Sequence, residues 1–414
     1  MKPIFDLHCH PTLKVWLCDA QFTIKHPAGI TNSDFDGKVM HVDLPGMRDG
    51  GVQCIVSFQY VPEVGISKLP MANKAVKFLR LLRSRIPGKL QQDIDGSSCF
   101  DQAMAGIKAM NDQIDAAASA YQNDPATGFN VTVPKNSAEF EAALAAGKTI
   151  VLHGLEGSHQ LGRNLGNTQA YLDHLQQFKD AGGCVLTLAH FFINDITGSG
   201  GGIPPKEARL LGYDRDPQIT GLTAIGEAVV NWCQDNGIII DLVHSPVVTR
   251  NRVYDLLDQR IAAGKKVRPI VFSHTGIRGV ASQFMTDPHD LDILPDYTEI
   301  TKIASYDGVF GMILMNYWQN GDETQGPILD TDPGIDLVIN TMKVISTASR
   351  LNSVDNICIG TDLDGFTTIP SDMRRVADID KLRQKIIAAF PNNDDADKIC
   401  SGNMLRVLRK NYNP

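Results

Sequence analysis

The sequence lacks an excess of positive charge: 39 Lys and Arg stand against 47 Asp and Glu, a formal net charge of -8 with a pI near 5.8. No basic run interleaved with aromatics offsets this, which argues against a nucleic-acid partner and makes a small molecule the expected one. Apolar runs long enough to cross a bilayer are missing as well. The opening Met1-Lys2-Pro3-Ile4-Phe5-Asp6 turns to acid and histidine before an apolar signal segment develops, so the chain reads as cytoplasmic. No C-x-x-C pair occurs among the eight cysteines (Cys9, Cys18, Cys54, Cys99, Cys184, Cys233, Cys358, Cys400), so a thiolate metal site or redox motif gives way to buried free thiols. A phosphate-binding loop is also lacking. Gly147-Lys148-Thr149 resembles the tail of one, but Ala142 stands where the first glycine is required, and the segment precedes a strand instead of following one. Gly198-Ser199-Gly200-Gly201-Gly202 has no helix start behind a strand and reads as a mobile loop, not an anion cradle.

What is present is a rhythm. The 414 residues are 43% hydrophobic, enough for a large core. Short, nearly continuous apolar runs at 4–5, 54–58, 150–154, 184–188, 238–241, 270–273, 309–315 and 357–360 read as strands buried on both faces. Helical spacing fills most of the gaps, at 72–85, 97–121, 138–146, 168–181, 222–235, 249–263, 299–305 and 332–350. Eight strands alternating with helices are the signature of a parallel α/β architecture, and the count favours a closed (β/α)8 TIM-type barrel over an open doubly wound sheet. The chain is expected to form a single domain, 1–414. Residues 61–134 form a helical insertion after the second strand, as a cap over the pocket or a subunit contact. The Gly-, Pro-, Asp- and Asn-rich stretch 11–50 reads as a long loop or irregular cap with little periodicity.

Specific polar residues fall just after each strand: His8 and His10, Glu156, His190, His244, His274 and Asp362. In a parallel barrel all strands run the same way, so these seven collect on the carboxyl-end face. In Asp6-Leu7-His8-Cys9-His10, strand alternation points His8 and His10 to one side and Leu7 and Cys9 to the other. Imidazole and carboxylate suit borderline divalent ions such as zinc. The set therefore points to binuclear metal-assisted hydrolysis, in which Glu156 bridges two cations and the histidines divide between them. Asp362 is placed to act as general base and then general acid, and His190, where it is not a ligand, to steady an oxyanion.

In order along the chain, Asp6-Leu7-His8-Cys9-His10-Pro11, Met47-Arg48-Asp49-Gly50-Gly51-Val52, Leu155-Glu156-Gly157-Ser158-His159, Leu186-Thr187-Leu188-Ala189-His190, Asp241-Leu242-Val243-His244-Ser245, Val271-Phe272-Ser273-His274, Gly360-Thr361-Asp362-Leu363-Asp364-Gly365 and Gly402-Asn403-Met404-Leu405-Arg406-Val407 resemble the motif series of the membrane (renal) dipeptidases, peptidase family M19 of the amidohydrolase superfamily. The resemblance implies a distorted (β/α)8 barrel with two Zn2+ ions that hydrolyses dipeptides or similar small amides. It places one metal on His8, His10 and Glu156 and the other on Glu156, His244 and His274. Asp362 would then be the acid/base residue, and His190 the group that binds the scissile carbonyl. A homodimer is a possible assembly.

The sequence departs from that family at three points. His8-Cys9-His10 stands where the family usually has His-x-Asp. The family's Arg-Asn pair beyond the last metal histidine, expected to grip the substrate carboxylate, is replaced by Ser282-Gln283-Phe284-Met285, with Arg278 as the nearest substitute. The insertion is longer than the family's. The missing Arg keeps a second reading open, a hydrolase of an N-acyl amino acid, cyclic amide or lactone. A catalytically silent barrel used as a binding module is the third reading.

Overall fold

The computed structural model describes residues 3–27, 29, 37–63, 99–199, 220–281, 288–319, 332–348, 353–365, 367 and 369–412. The expected helix 72–85, the Ser282–Met285 segment and Gly200 to Gly202 lie outside them.

Among the described residues nine strands form: β1 Ile4–Cys9, β2 Val52–Gln59, β3 Val131–Thr132, β4 Thr149–Leu155, β5 Gly183–Thr187, β6 Ile239–Asp241, β7 Val271–Thr275, β8 Val309–Met312 and β9 Ile357–Ile359. All pairings among them are parallel. The order β1-β2-β4-β5-β6-β7-β8-β9 returns to β1, so eight strands close into a barrel, and two-residue β3 merely flanks the start of β4. The expected strand count therefore holds, and β3 is too short for any periodicity to reveal it.

One apolar cluster draws on every barrel strand, with Phe5, Leu7, Val56, Phe58, Leu152, Val185, Ile239, Val271, Val309 and Cys358 among its members, and it fills the interior. Met404, Val407 and Leu408 of the terminal helix join it and close the end where the strands begin. Alternate residues such as Ile55, Val151, Ile240 and Phe272 face a second cluster under the surrounding helices. Burial on both faces explains why the strand runs are continuously apolar.

The stretch 11–50 is not one long loop. It contains helix α1, Pro11–Cys18, and helix α2, Leu44–Gly50. The residues that suggested a loop are the punctuation of these helices. Pro11 and Pro45 sit in first turns, Asp43 caps α2 by accepting the Gly46 N–H, and Gly51 ends it at φ 68°. Helix α3, Cys99–Asn123, is the helix that the described residues show within the expected insertion 61–134. It lies against α1 and β2, with Gln113 accepting the Phe22 N–H and donating to the Ala20 carbonyl, and Asn111 bonded to His153. None of the eight cysteines forms a disulfide, and all but Cys18 are buried. Among the described residues no helix is long and apolar enough to cross a membrane.

Candidate metal centre

Regular strands would not build this site. Pairing slips by one residue between Asp6 and Cys9 of β1, between His153 and Gly154 of β4, and between Phe272 and Thr275 of β7. Such irregularities re-aim side chains, and each lies at or just before a candidate ligand. The expectation of simple alternation in β1 is corrected here. Phe5 and Leu7 both face the barrel interior, so an unbroken strand would send His8 outward and Cys9 inward. With the slip, Cys9 belongs to the outer cluster and His8 turns toward the axis, where its ring stacks on Phe58 at 3.8 Å.

His10 lies past β1, at the position before the first turn of α1, where its ring makes no capping bond. His244 and Asp362 adopt left-handed backbone, at φ 61° and 55°, as does Asp364 at 68°. Each such non-glycine residue costs on the order of 1–2 kcal/mol, and the surroundings must hold it. The Asp364 carboxylate accepts the His41 and Val42 N–H groups. The Asp362 N–H donates to the His8 carbonyl, and the His10 N–H to the Leu363 carbonyl, both at 2.8 Å. Asp6 accepts the Thr361 N–H and hydroxyl together with the His8 N–H, and burial pushes its carboxyl up to about 6. The turn after β6 is tied by fully buried Arg250, which pairs with Glu299 through two bonds of 2.7 and 2.8 Å and donates to the Ser245 carbonyl at 2.6 Å.

All seven expected residues meet. Glu156 is the centre: its Oε1 lies 3.5 Å from His8 Nε2, 3.4 Å from His244 Nε2 and 3.6 Å from His274 Nε2. Its Oε2 lies 3.5 Å from both His10 Nε2 and His190 Nε2. Asp362 Oδ1 is 3.2 Å from His10 Nε2 and 3.8 Å from His8 Nε2. Three groups have their ligand atoms within 4.8 Å of one another: His8, His10 and Asp362; His8, Glu156 and His274; Glu156, His190 and His244. Every member is buried.

Ring nitrogens crowd face to face, with His8 Nε2 at 2.9 Å from His10 Nε2 and His244 Nε2 at 3.2 Å from His274 Nε2. Lone pairs so opposed need a proton or a cation between them, and buried imidazoles around carboxylates fit a borderline divalent ion. Burial would raise the Glu156 carboxyl, but the neighbouring His190 and His10, with bonds from His244 and His8, hold it well below the usual range. Burial holds His8 and His274 down, in the neutral form a ligand needs. On His10 and His190 burial acts the same way, but the carboxylates together overcome it and raise both, Glu156 with Asp362 at His10 and Glu156 with Glu63 at His190.

Several contributors escaped sequence reading. Buried Glu63 accepts from His190 Nδ1 at 3.3 Å and from the Phe192 N–H at 3.1 Å, and nothing in its local sequence announces it. Ser273 Oγ lies 2.8 Å from His8 Nδ1 and 2.6 Å from Asp241 Oδ2. Asp241 and Ser273 were visible as polar ends of apolar strand runs, but not as partners. Arg278 opens the short helix Arg278–Ala281 beyond β7, and its N–H donates to the Pro295 carbonyl.

Residues 1–413 match the family described as membrane dipeptidase (peptidase family M19). The chain belongs to that family. Among the relatives of this M19 chain, the dipeptidase aclJ of Aspergillus oryzae is 25% identical over 262 residues, 63% of this chain and 51% of that protein. The dipeptidase tcpJ of Claviceps purpurea is 26% identical over 268 residues, 64% of this chain and 52% of that protein. The matched region thus spans about half the length of these relatives. A Rhodobacter sphaeroides metallo peptidase liganded with a phosphinate mimic of L-Ala-D-Ala superposes with TM-score 0.67 at 19% identity, covering 99% of each chain. The metallo peptidase dipeptidase AC, of family M19, gives 0.66 at 19% identity, covering 100% of this chain and 99% of that one. An amidohydrolase from Pseudomonas aeruginosa gives 0.62 at 16%, covering 100% and 97%. At these identities the structures speak for the shared barrel fold.

Proposed function

We propose that this protein is a metal-dependent hydrolase of dipeptides or related small amides. One observation carries the reading: a single buried carboxylate, Glu156, has five imidazole nitrogens within 3.4–3.6 Å of its two oxygens. His8, His10 and Glu156 are assigned to one divalent cation, and Glu156, His244 and His274 to a second, with Zn2+ the ion this donor set suits best. Two such cations supply Lewis acidity and a nucleophilic water at neutral pH.

The protein's own groups do the rest. Asp362 Oδ1, 3.2 Å from His10 Nε2, accepts the proton of the attacking water and returns it to the leaving nitrogen. His190, held through Nδ1 by Glu63, presents Nε2 toward the cluster and steadies the carbonyl oxygen as charge develops on it. Glu63 comes from the 61–134 insertion, which supports a role for that segment beside the pocket. Arg278 is assigned to the substrate carboxylate.

In the purified chain we expect about two divalent ions per molecule. Asp362→Asn should keep both ions while lowering kcat by about 10²–10⁴, the range typical of a lost general acid–base. Protein isolated without metal, or an Asp362→Asn variant of undiminished turnover, overturns the reading. Because Ser282-Gln283-Phe284-Met285 replaces the family's Arg-Asn pair, the second reading keeps the site and changes the substrate. A panel of L-L, L-D and glycine-containing dipeptides set against N-acyl amino acids, cyclic amides and lactones separates the two.

A further inference from the structure

One hydroxyl touches ligands of both proposed cations. Ser273 Oγ lies 2.8 Å from His8 Nδ1 and 3.2 Å from His274 Nδ1, and it donates to Asp241 Oδ2 at 2.6 Å. A serine hydroxyl has one hydrogen and two lone pairs. Where the hydrogen goes therefore settles what both rings must do.

Asp241 settles it. Its Oδ2 also accepts the Thr187 hydroxyl at 2.6 Å, and its Oδ1 accepts the Ser273 N–H at 2.9 Å and the Val243 N–H at 3.2 Å. Every neighbour of this buried carboxylate is a donor, so the hydroxyl proton points to Asp241. Ser273 Oγ is left with lone pairs alone for the two rings. Each ring must then carry its hydrogen on Nδ1 and keep a lone pair on Nε2, the nitrogen aimed at Glu156.

The backbone makes this arrangement stiff. A Cβ built on Gly311 or on Gly360 would lie 1.9 Å from the Ser273 carbonyl oxygen, so β8 and the residue that follows β9 approach the Ser273 backbone in a way only glycine permits. The backbone that carries the hydroxyl is thereby held in place, and the bond to Asp241 orients the hydroxyl on it.

We propose that Asp241 and Ser273 are positioning residues that dictate the tautomers of His8 and His274 together, and through them the affinity of both cation sites. This rests on the hydrolase reading above. The pair touches no substrate; it acts by deciding which ring nitrogen is open to a metal.

The test uses the full chain, stripped with a chelator and titrated with Zn2+ against a competing indicator. Asp241→Asn is nearly isosteric but places an NH2 against the hydroxyl, which must then donate toward a ring and force hydrogen onto Nε2. Both Asp241→Asn and Ser273→Ala should weaken Zn2+ binding by about 10- to 100-fold at both sites, the range typical of lost outer partners. The visible spectrum of Co2+ bound to each variant should shift as well. In the apo wild type, long-range ¹H–¹⁵N spectra of histidine-labelled protein should show His8 and His274 protonated on Nδ1, a readout that needs no variant to fold. Nε2 protonation there, or wild-type Zn2+ affinity in both variants, overturns the inference while leaving the hydrolase reading standing. A wild type that takes up no Zn2+ at all overturns both.

Discussion

Two pairs of histidines meet at Glu156, and they are held differently. His8 and His274 leave the ends of β1 and β7 at strand irregularities, and each ring is bonded through Nδ1 to the Ser273 hydroxyl. His10 and His244 lie past the strands, one just before the first turn of α1 and the other in a left-handed turn, and among the described residues their Nδ1 atoms have no partner. Their order comes through the main chain instead: the His10 N–H donates to Leu363, and Arg250 grips the carbonyl of Ser245. The strand-end pair is thus fixed in tautomer and orientation, whereas the loop pair is fixed in position with its rings left adjustable. The difference teaches that a barrel can preset half of a metal site by hydrogen bonding and leave the other half to adapt around the ion.

The largest expected effect lies on the loop side. Arg250→Met leaves the buried Glu299 carboxylate without its cation and the Ser245 carbonyl without its donor, so urea unfolding should show a loss of about 3–5 kcal/mol. A loss confined to a few tenths would mean that the His244 turn holds itself, and the contrast with the strand side would collapse.

Next comes a paired exchange of ligands. His8→Asp removes a ring that Ser273 holds and Phe58 stacks against, and should weaken Zn2+ binding by at least about 100-fold. His10→Asp replaces an unheld ring with a carboxylate, a ligand type the same ions accept, and should cost about tenfold or less. Equal losses in chelator competition would erase the distinction between the pairs.

A histidine away from the site is the control. His153, on the outer face of β4, is buried and bonded to Asn111, and burial lowers it from 6.5 to about 4. The unfolded chain therefore takes a proton below pH 6.5 that the folded chain refuses, and stability is lost as pH falls from 6.5 toward 4. Between pH 7 and pH 5 this amounts to about 2 kcal/mol. His153→Gln keeps a bond to Asn111 without titrating, and should reduce the pH dependence of the unfolding free energy by that amount. An unchanged pH slope would assign the acid sensitivity to the Glu156 cluster instead.

The barrel was legible because a strand buried on both faces must be apolar throughout, and 150–154, 184–188 and 270–273 stand out against their surroundings on that ground alone. The seven residues at Glu156 were legible for a related reason, since each directly follows such a run and parallel strands end on one face. Less was visible in 11–50, where Pro11 and Pro45 open helices, Asp43 caps one and Gly51 just beyond ends it. The same residue types also make loops, so composition does not separate the two. Glu63 left no local trace, because its meaning depends wholly on His190, more than a hundred residues away.

By itself, then, the sequence determined which residues could bind a metal and that they would share one end of a parallel barrel, because hydrophobic period and chain direction are local properties. Only the tertiary structure decided which way those residues face and which nitrogen each ring exposes. Both depend on one-residue slips between strands and on Ser273 and Asp241 meeting across β6 and β7, and contacts between strands are not written in the order of residues along any one of them.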